Sequence, residues 1–427
     1  MAGHQLTELE SGLRIVTEHM PSVRSAAVGL FVGTGSRCES EPQAGLSHFL
    51  EHLLFRGTDR HKSAEIDQMF DSWGAELNAG TDKESTTIYA RMLDQHLPKA
   101  FDVMADMVWR PSLDDLDAER LVVLEEIAMY EDDPQDGVFD VLGEAVFGAH
   151  PLGRAIIGRA EVIRDTPADV IRAYHDSHYV PGSVVVAAAG SIRHEDVVAL
   201  ARQTLGERES RPAPPCEPAP DAPRPGIRFQ AKDTEQVHVC LGGVGISRHD
   251  ERRYAARVLD CIFGGLSSSR LFQAVREERG LAYSVYSFAG QYRDCGQVGL
   301  YLGTRPDNLQ EALEVVGAEL DELRRTPPSA EELERARDNV KARIVLAMES
   351  SSARMHWLGS SVMYDMPLLE IEDVIARIDA VEASDVSELV EELWAPEGLS
   401  AAGIGPDESE FRAAVTPLCP FATPAVA

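Results

Sequence analysis

Between Arg208 and Gly226 the chain carries the run Arg211-Pro212-Ala213-Pro214-Pro215-Cys216-Glu217-Pro218-Ala219-Pro220. Neither a helix nor a central strand accommodates it, because each proline removes an N–H donor and locks φ. It reads as a semi-rigid linker over 208–225 that separates two nearly equal parts, 1–207 and 226–427. The second part replays the first. Ala26 to Val32 is a nearly continuous apolar run suited to a buried strand, and Val237 to Gly243 resembles it. The helical stretch Arg253 to Phe263 stands where Ser47 to Phe55 stood, so His48, Glu51 and His52 correspond to Arg257, Asp260 and Cys261. One structural unit written twice, with strands and helices interleaved, predicts an α+β fold of two similar α/β halves.

Periodicity places the remaining elements. Strands are expected at 13–17, 76–81, 86–92, 183–189, 281–291, 296–304 and 399–404. The motif helix should begin near Pro42 to Gly45, and a second helix from about Ser63 to Trp73 is closed by Gly74. Further helices are expected at about 95–109, 114–131, 136–147, 167–177, 306–325 and 329–348, with shorter ones filling 351–393.

The stretch Ser47-His48-Phe49-Leu50-Glu51-His52-Leu53-Leu54-Phe55 carries the chemistry. On a helix, residues four apart leave the same face, so both imidazoles suit one tetrahedral Zn²⁺. Glu51 falls inside the same arc, in reach of a water without having to bind the metal. The apolar neighbours imply burial, and a buried His pair beside a carboxylate needs a reason to be there. Two histidines leave such a site short of one protein ligand. In the acidic stretch 117–131, Glu119 and Glu126 lie seven residues apart and nearly on one face, whereas Glu125 points away. Glu126 is taken as the third ligand and Glu119 as an acceptor that orients a ligand or helps the water; spacing alone would equally make all three glutamates the solvated face of an amphipathic helix. His175-Asp176-Ser177-His178 is read as a polar helix end, His150 as a turn residue, and His356 with Trp357 as packing.

Composition narrows the partners. With 71 acidic against 40 basic residues the net charge is −31, which argues against nucleic acid and anionic membranes; the acidity serves solubility or attracts basic peptides. Cys38, Cys216, Cys240, Cys261, Cys295 and Cys419 form no C-x-x-C pair, arguing against a disulfide framework and for a reducing compartment. No signal or transit peptide and no membrane-length apolar run is visible, so a cytoplasmic location is expected.

H-x-x-E-H, followed by a Glu in the setting V-V-L-E-E-I, resembles the pitrilysin/insulinase family of zinc peptidases, the inverzincins. The short-chain branch, with mitochondrial processing peptidase and its bacterial relatives, is most similar. The likeness takes in His48 to Thr58, Leu77-Asn78-Ala79-Gly80-Thr81, Glu119 to Glu126, His150 to Arg154, Tyr179 to Gly182, Gly264 to Phe272 and Val275 to Val285. It implies one Zn²⁺ per chain on His48, His52 and Glu126, with Glu51 as general base and Glu119 in support. It also implies that Arg276 and Tyr283 hold the substrate backbone, and that the peptide adds as a strand beside Asn78 and Ala79. Chains of this length in the family pair into a chamber, which implies a homodimer acting on peptides or unfolded segments. The alternative is a catalytically silent scaffold subunit, or a zinc-binding assembly protein of the same fold.

Overall fold

The apolar run 26–32 lies inside a six-stranded sheet, in a computed structural model that describes residues 3–205 and 212–424. The strands are His4–Glu8 (β1), Arg14–His19 (β2), Ser25–Val32 (β3), Glu76–Thr81 (β4), Thr86–Leu93 (β5) and Val184–Gly190 (β6), in spatial order β1-β2-β6-β3-β5-β4. Strand β3 sends Ala26, Val28, Leu30 and Val32 into one core, and Ala27 and Phe31 into another. Strand β6 divides likewise, with Val184, Val186 and Ala188 on one side and Val185, Ala187 and Ala189 on the other. Side chains alternate along a strand, so a strand buried on both faces reads as unbroken apolar sequence.

The second sheet contains Gly226–Ala231 (β7), Val237–Gly245 (β8), Ala282–Gln291 (β9), Gly296–Thr304 (β10), Ser400–Gly405 (β11) and Thr423–Pro424 (β12). Its order, β12-β7-β11-β8-β10-β9, matches the first sheet strand for strand over β2-β6-β3-β5-β4. The pairs β2–β6 and β7–β11 are both parallel, and the other pairs within these two sets of five are antiparallel. Only the outermost strand departs: β1 joins antiparallel and β12 parallel. The expected pair of similar α/β halves is thus the observed fold. Strands β1 and β7 are short and half-exposed, so neither carries the apolar pattern that would have revealed it.

The helices that matter for the site are Leu46–Leu54 (α1), Ser63–Trp73 (α2), Leu97–Trp109 (α3), Leu116–Asp132 (α4) and Pro134–Phe147 (α5). Gly74 closes α2 in the left-handed region with φ 59°, as its position predicted. The motif helix starts later than expected. A 3₁₀ turn over Glu41–Gln43 comes first, then Gly45 at φ 100°, and regular α-helix begins at Leu46.

Two compact units are built from interleaved stretches of chain. The first joins Met1–Ile127, Ala155–Glu217 and Val345–Glu370; the second joins Ala128–Arg154, Pro218–Ile344 and Ile371–Ala427. They differ from a simple cut at the linker by one exchanged helical segment each way. In the first unit, Met355, Leu358, Val362 and Met363 of the helix Ser351–Met363 pack on Val16, Phe31 and Val185. In the second, Val138, Leu142 and Val146 of α5 pack on Cys240, Tyr301 and Ile404. A sheet with two apolar faces needs cover on both, and here the second cover comes from the other half of the sequence.

The cysteine reading is corrected in one respect: Cys38 and Cys216 form a disulfide, while Cys240, Cys261, Cys295 and Cys419 are free and buried. The partners stand 178 residues apart, so no local spacing could signal the pair, and the cysteines no longer argue for a reducing compartment. Beside the bridge, Arg37 donates from Nε to the Glu217 carbonyl at 3.0 Å and from Nη1 to Glu84 at 2.7 Å. Residues 212–225 form no helix or strand, as the prolines require; residues 208–211 of the expected linker lie outside the described residues. Among the described residues, no helix is long and apolar enough to cross a membrane.

Leu358 is fully buried against the first sheet. Leu358→Ala should cost about 2–5 kcal/mol of stability by leaving a cavity. Urea unfolding with an unchanged midpoint would show that this helix does not close the core of the first unit.

Candidate metal centre

Helix α1 owes its position to the groups at its start. Glu39, buried, accepts from Gly45 N at 2.8 Å and Ser47 N at 2.6 Å, satisfying N–H groups that a helix start leaves unpaired. Ser47 Oγ lies 2.7 Å from the Tyr174 hydroxyl. Phe49, Leu50, Leu53 and Leu54 are fully buried, which turns His48, Glu51 and His52 to a half-exposed face.

Helix α4 meets that face. Val123 and Ile127 are buried in the core shared with α1, and Glu119 and Glu126 flank them. Glu126 lies 3.5 Å from His48 Nε2 through one oxygen and 3.3 Å from His52 Nε2 through the other. The two imidazole centroids are 4.7 Å apart. One donor atom from each of the three residues falls within 4.8 Å of the others, the arrangement expected of a shared metal ion. The donor chemistry, two imidazole nitrogens and one carboxylate, is that of catalytic zinc sites with a position left open.

Charge and tautomer agree with this fit. His48 is pushed down to about 4 by burial and by the neighbouring His52, so it is a neutral imidazole at neutral pH, the form a metal ion would need. Its Nδ1 is buried with no hydrogen-bond partner. His52 Nδ1 lies 2.8 Å from Glu119 Oε1; with Nδ1–H donating, the lone pair at Nε2 is left toward Glu126. Glu119, only 2% exposed, also pairs with Arg56 Nε. Arg56, four residues after His52 and just past the helix end, is a participant that the sequence alone does not single out.

Glu51 stands apart from the ligand cluster. Thr81 at the end of β4 donates from Oγ1 to Glu51 Oε2 at 2.6 Å. Burial raises the carboxyl above its ordinary range despite the Thr81 bond, which suits a group that must take up a proton. Thr81 was noticed only as part of a motif; its role depends on strand β4 folding back beside α1.

The other expected residues fall in two places. Asn78 and Ala79 lie on β4, whose only strand neighbour among the described residues is β5, so the strand has an open edge; Asn78 is exposed. Arg276 and Tyr283 lie in the second unit and contact each other. Arg276 Nη1 donates to the Tyr283 carbonyl at 2.8 Å, and the guanidinium sits 4.3 Å from the Tyr283 ring centre. Tyr283 is 75% exposed. His175 to His178 close the helix Ala168–His178, the helix end expected, but His175 and His178 themselves are buried, with His175 Nε2 2.8 Å from the Val108 carbonyl. His150 caps the turn Pro151–Gly153, and His356 packs edge-on against Phe31 and Tyr89, as expected.

The depressed His48 sets a pH dependence for metal-free protein. Between about 4 and the ordinary 6.5, the unfolded chain binds more protons than the folded one, so stability rises with pH. In chelator-treated protein, acidification through this window should lower the unfolding midpoint more steeply than in His48→Asn. Parallel curves would remove the buried neutral imidazole.

Known proteins match the chain along most of its length. Residues 14–160 match the family described as insulinase (peptidase family M16), and residues 166–340 match the one described as peptidase M16 inactive domain. A protein named "uncharacterized zinc protease" from Streptomyces coelicolor is 42% identical over 389 residues, covering 89% of this chain and 85% of that protein. One of the same description from Bacillus subtilis is 38% identical, covering 90% and 94%. Among solved structures, the peptidase M16 inactive domain from Pseudomonas fluorescens superposes with a TM-score of 0.88 at 23% identity, over 95% of this chain and 98% of that one. A protease from Helicobacter pylori gives 0.87 at 23% identity, over 94% and 99%. With these matches together covering most of its length, and relatives 38–42% identical over nearly the whole chain, the chain belongs to the insulinase (M16) family of peptidases.

Proposed function

We propose that this chain is a zinc-dependent endopeptidase, holding one Zn²⁺ on His48, His52 and Glu126 and using Glu51 as general base. The observation that carries the reading is the convergence of those three side chains, with a second carboxylate, that of Glu51, half-buried beside them and held by Thr81. The names of the relatives support it at the level of the family. When bound, zinc at such a site polarises a carbonyl and acidifies water.

The protein's own groups supply the rest. Glu51 takes the proton from a water attacking the scissile carbonyl and returns it to the leaving amine. Thr81 keeps that carboxylate aimed, and Glu119 with Arg56 keeps His52 in one tautomer. The open edge of β4 offers main-chain groups to an extended peptide beside Asn78 and Ala79. Arg276 and Tyr283 are the candidates to steady the substrate backbone and the developing oxyanion. Because one chain carries both the metal residues and this pair, two copies are proposed to form the working unit, enclosing peptides or unfolded segments.

Glu51→Gln should retain zinc while losing hydrolysis of an unstructured test peptide by about a hundredfold or more. Substantial turnover in that variant would refute the base assignment, whereas a zinc-loaded wild type without any turnover would favour the assembly-protein alternative. For the dimer, a fully active species eluting with the mass of one chain at micromolar concentration would defeat the proposal.

A further inference from the structure

The second unit keeps a cleft where the first holds its metal residues. In the first unit the site is made by α1 after β3, by α4 after α3, and by the edge strand β4. Their counterparts in the second are the helix Arg253–Phe263 after β8, the helix Ala330–Ala347 after the helix Leu309–Arg325, and the edge strand β9. These three elements line a cleft of about 310 Å³, within the size range of small-molecule sites. The residues at the metal-motif positions, Arg257, Asp260 and Cys261, all face into it, joined by Arg343 from the second helix and Gln291 from β9.

The lining has a definite charge. Arg257 and Arg343 are exposed, and neither makes a hydrogen bond or ion pair with a described residue. In a chain with 71 acidic and 40 basic residues, two arginines in one cleft with neither hydrogen-bonded to a carboxylate are out of keeping with the rest of the surface. Asp260 is near enough to Arg343 to feel its charge but makes no hydrogen bond to it; its Oδ1 accepts from Ser287 Oγ at 2.5 Å. Burial also pushes the Asp260 carboxyl up, and Cys261 is held as a thiol, raised to about 11. The walls between the charged groups are aliphatic, from Ala256, Val340 and Ile344.

We propose that this cleft binds an organic monocarboxylate, its carboxylate between Arg257 and Arg343 and its aliphatic part against Val340 and Ile344. Guanidinium groups match a carboxylate in shape and hydrogen bonding. One negative charge balances two arginines beside one aspartate, whereas a phosphate dianion would overshoot and meet Asp260. Two arginines likewise exclude a metal cation, so the repeat has exchanged a cation site for an anion site on the same three elements. The ligand would be a free small acid or the C-terminus of a peptide; the assignment does not depend on the peptidase reading.

The test is calorimetric titration of zinc-loaded protein with N-acetylleucine, its amide, and inorganic phosphate. Saturable binding of the acid, none of the amide, and weaker or no binding of phosphate are expected. Arg257→Gln and Arg343→Gln should each weaken the acid by about tenfold or more, while Arg257→Lys loses less. Equal binding of acid and amide, tighter binding of phosphate, or unchanged affinity in both glutamine variants would overturn the proposal. If Arg257→Gln does not fold, the Arg343→Gln arm decides, since that side chain is exposed on a helix surface. A carboxylate also has affinity for zinc, so binding must persist after chelation; its loss there would place the ligand on the metal and end the proposal. N-acetyl-Ala-Ala-Leu binding more tightly than N-acetylleucine identifies a peptide C-terminus as the source, and equal affinity a small acid; either supports the carboxylate site.

Discussion

A buried carboxylate holds the metal helix to its partner. Glu119 is almost wholly removed from solvent, a placement that costs several kcal/mol unless the charge is paired. Its partners, His52 and Arg56, both lie on the motif helix or just beyond its end. The pairing sets the height of α1 against α4, and it directs His52 Nε2 outward to Glu126. Two electrostatic anchors therefore fix the helix: Glu39 at its N-terminus and Glu119 near its C-terminus. Between them the buried Phe49, Leu50, Leu53 and Leu54 leave only one orientation for the histidines.

The two sheets show how one architecture carries different chemistry. Strand order and pairing direction are the same over five strands, yet the positions of His48, Glu51 and His52 are filled by arginine, aspartate and cysteine in the second copy. The supporting interactions changed in step. Thr81 donates to Glu51 in the first unit, and Ser287 on the corresponding edge strand donates to Asp260 in the second. A hydroxyl on the edge strand holding a helix carboxylate is thus common to both, while the groups around it are two histidines and a glutamate in one unit and two arginines in the other. The fold repeats the same three elements; the side chains they carry set the local chemistry.

Much of the site was readable because its signals are local. The spacing of His48, Glu51 and His52 is a helix property, and Glu119 and Glu126 share a face by the same periodicity. The interior strands were readable because burial on both sides leaves an unbroken apolar run. Strands β1, β7 and β12 were not, since a short edge strand has little apolar sequence to show. Arg56 and Thr81 carried no readable signal of their role, because an arginine after a helix and a threonine on a strand are ordinary until their partners are placed.

The amino-acid order by itself determined the repeat, the metal motif and the division of each half into strands and helices, all of which depend on neighbours within a few turns or a few strands. Only the tertiary structure decided the Cys38–Cys216 bridge, the exchange of a covering helix between the two units, and the pairing of Glu51 with Thr81. Each of these joins residues far apart along the chain or turns on which face of an element finds cover. Such contacts are selected by the packing of whole layers, and no periodicity in a single segment encodes them.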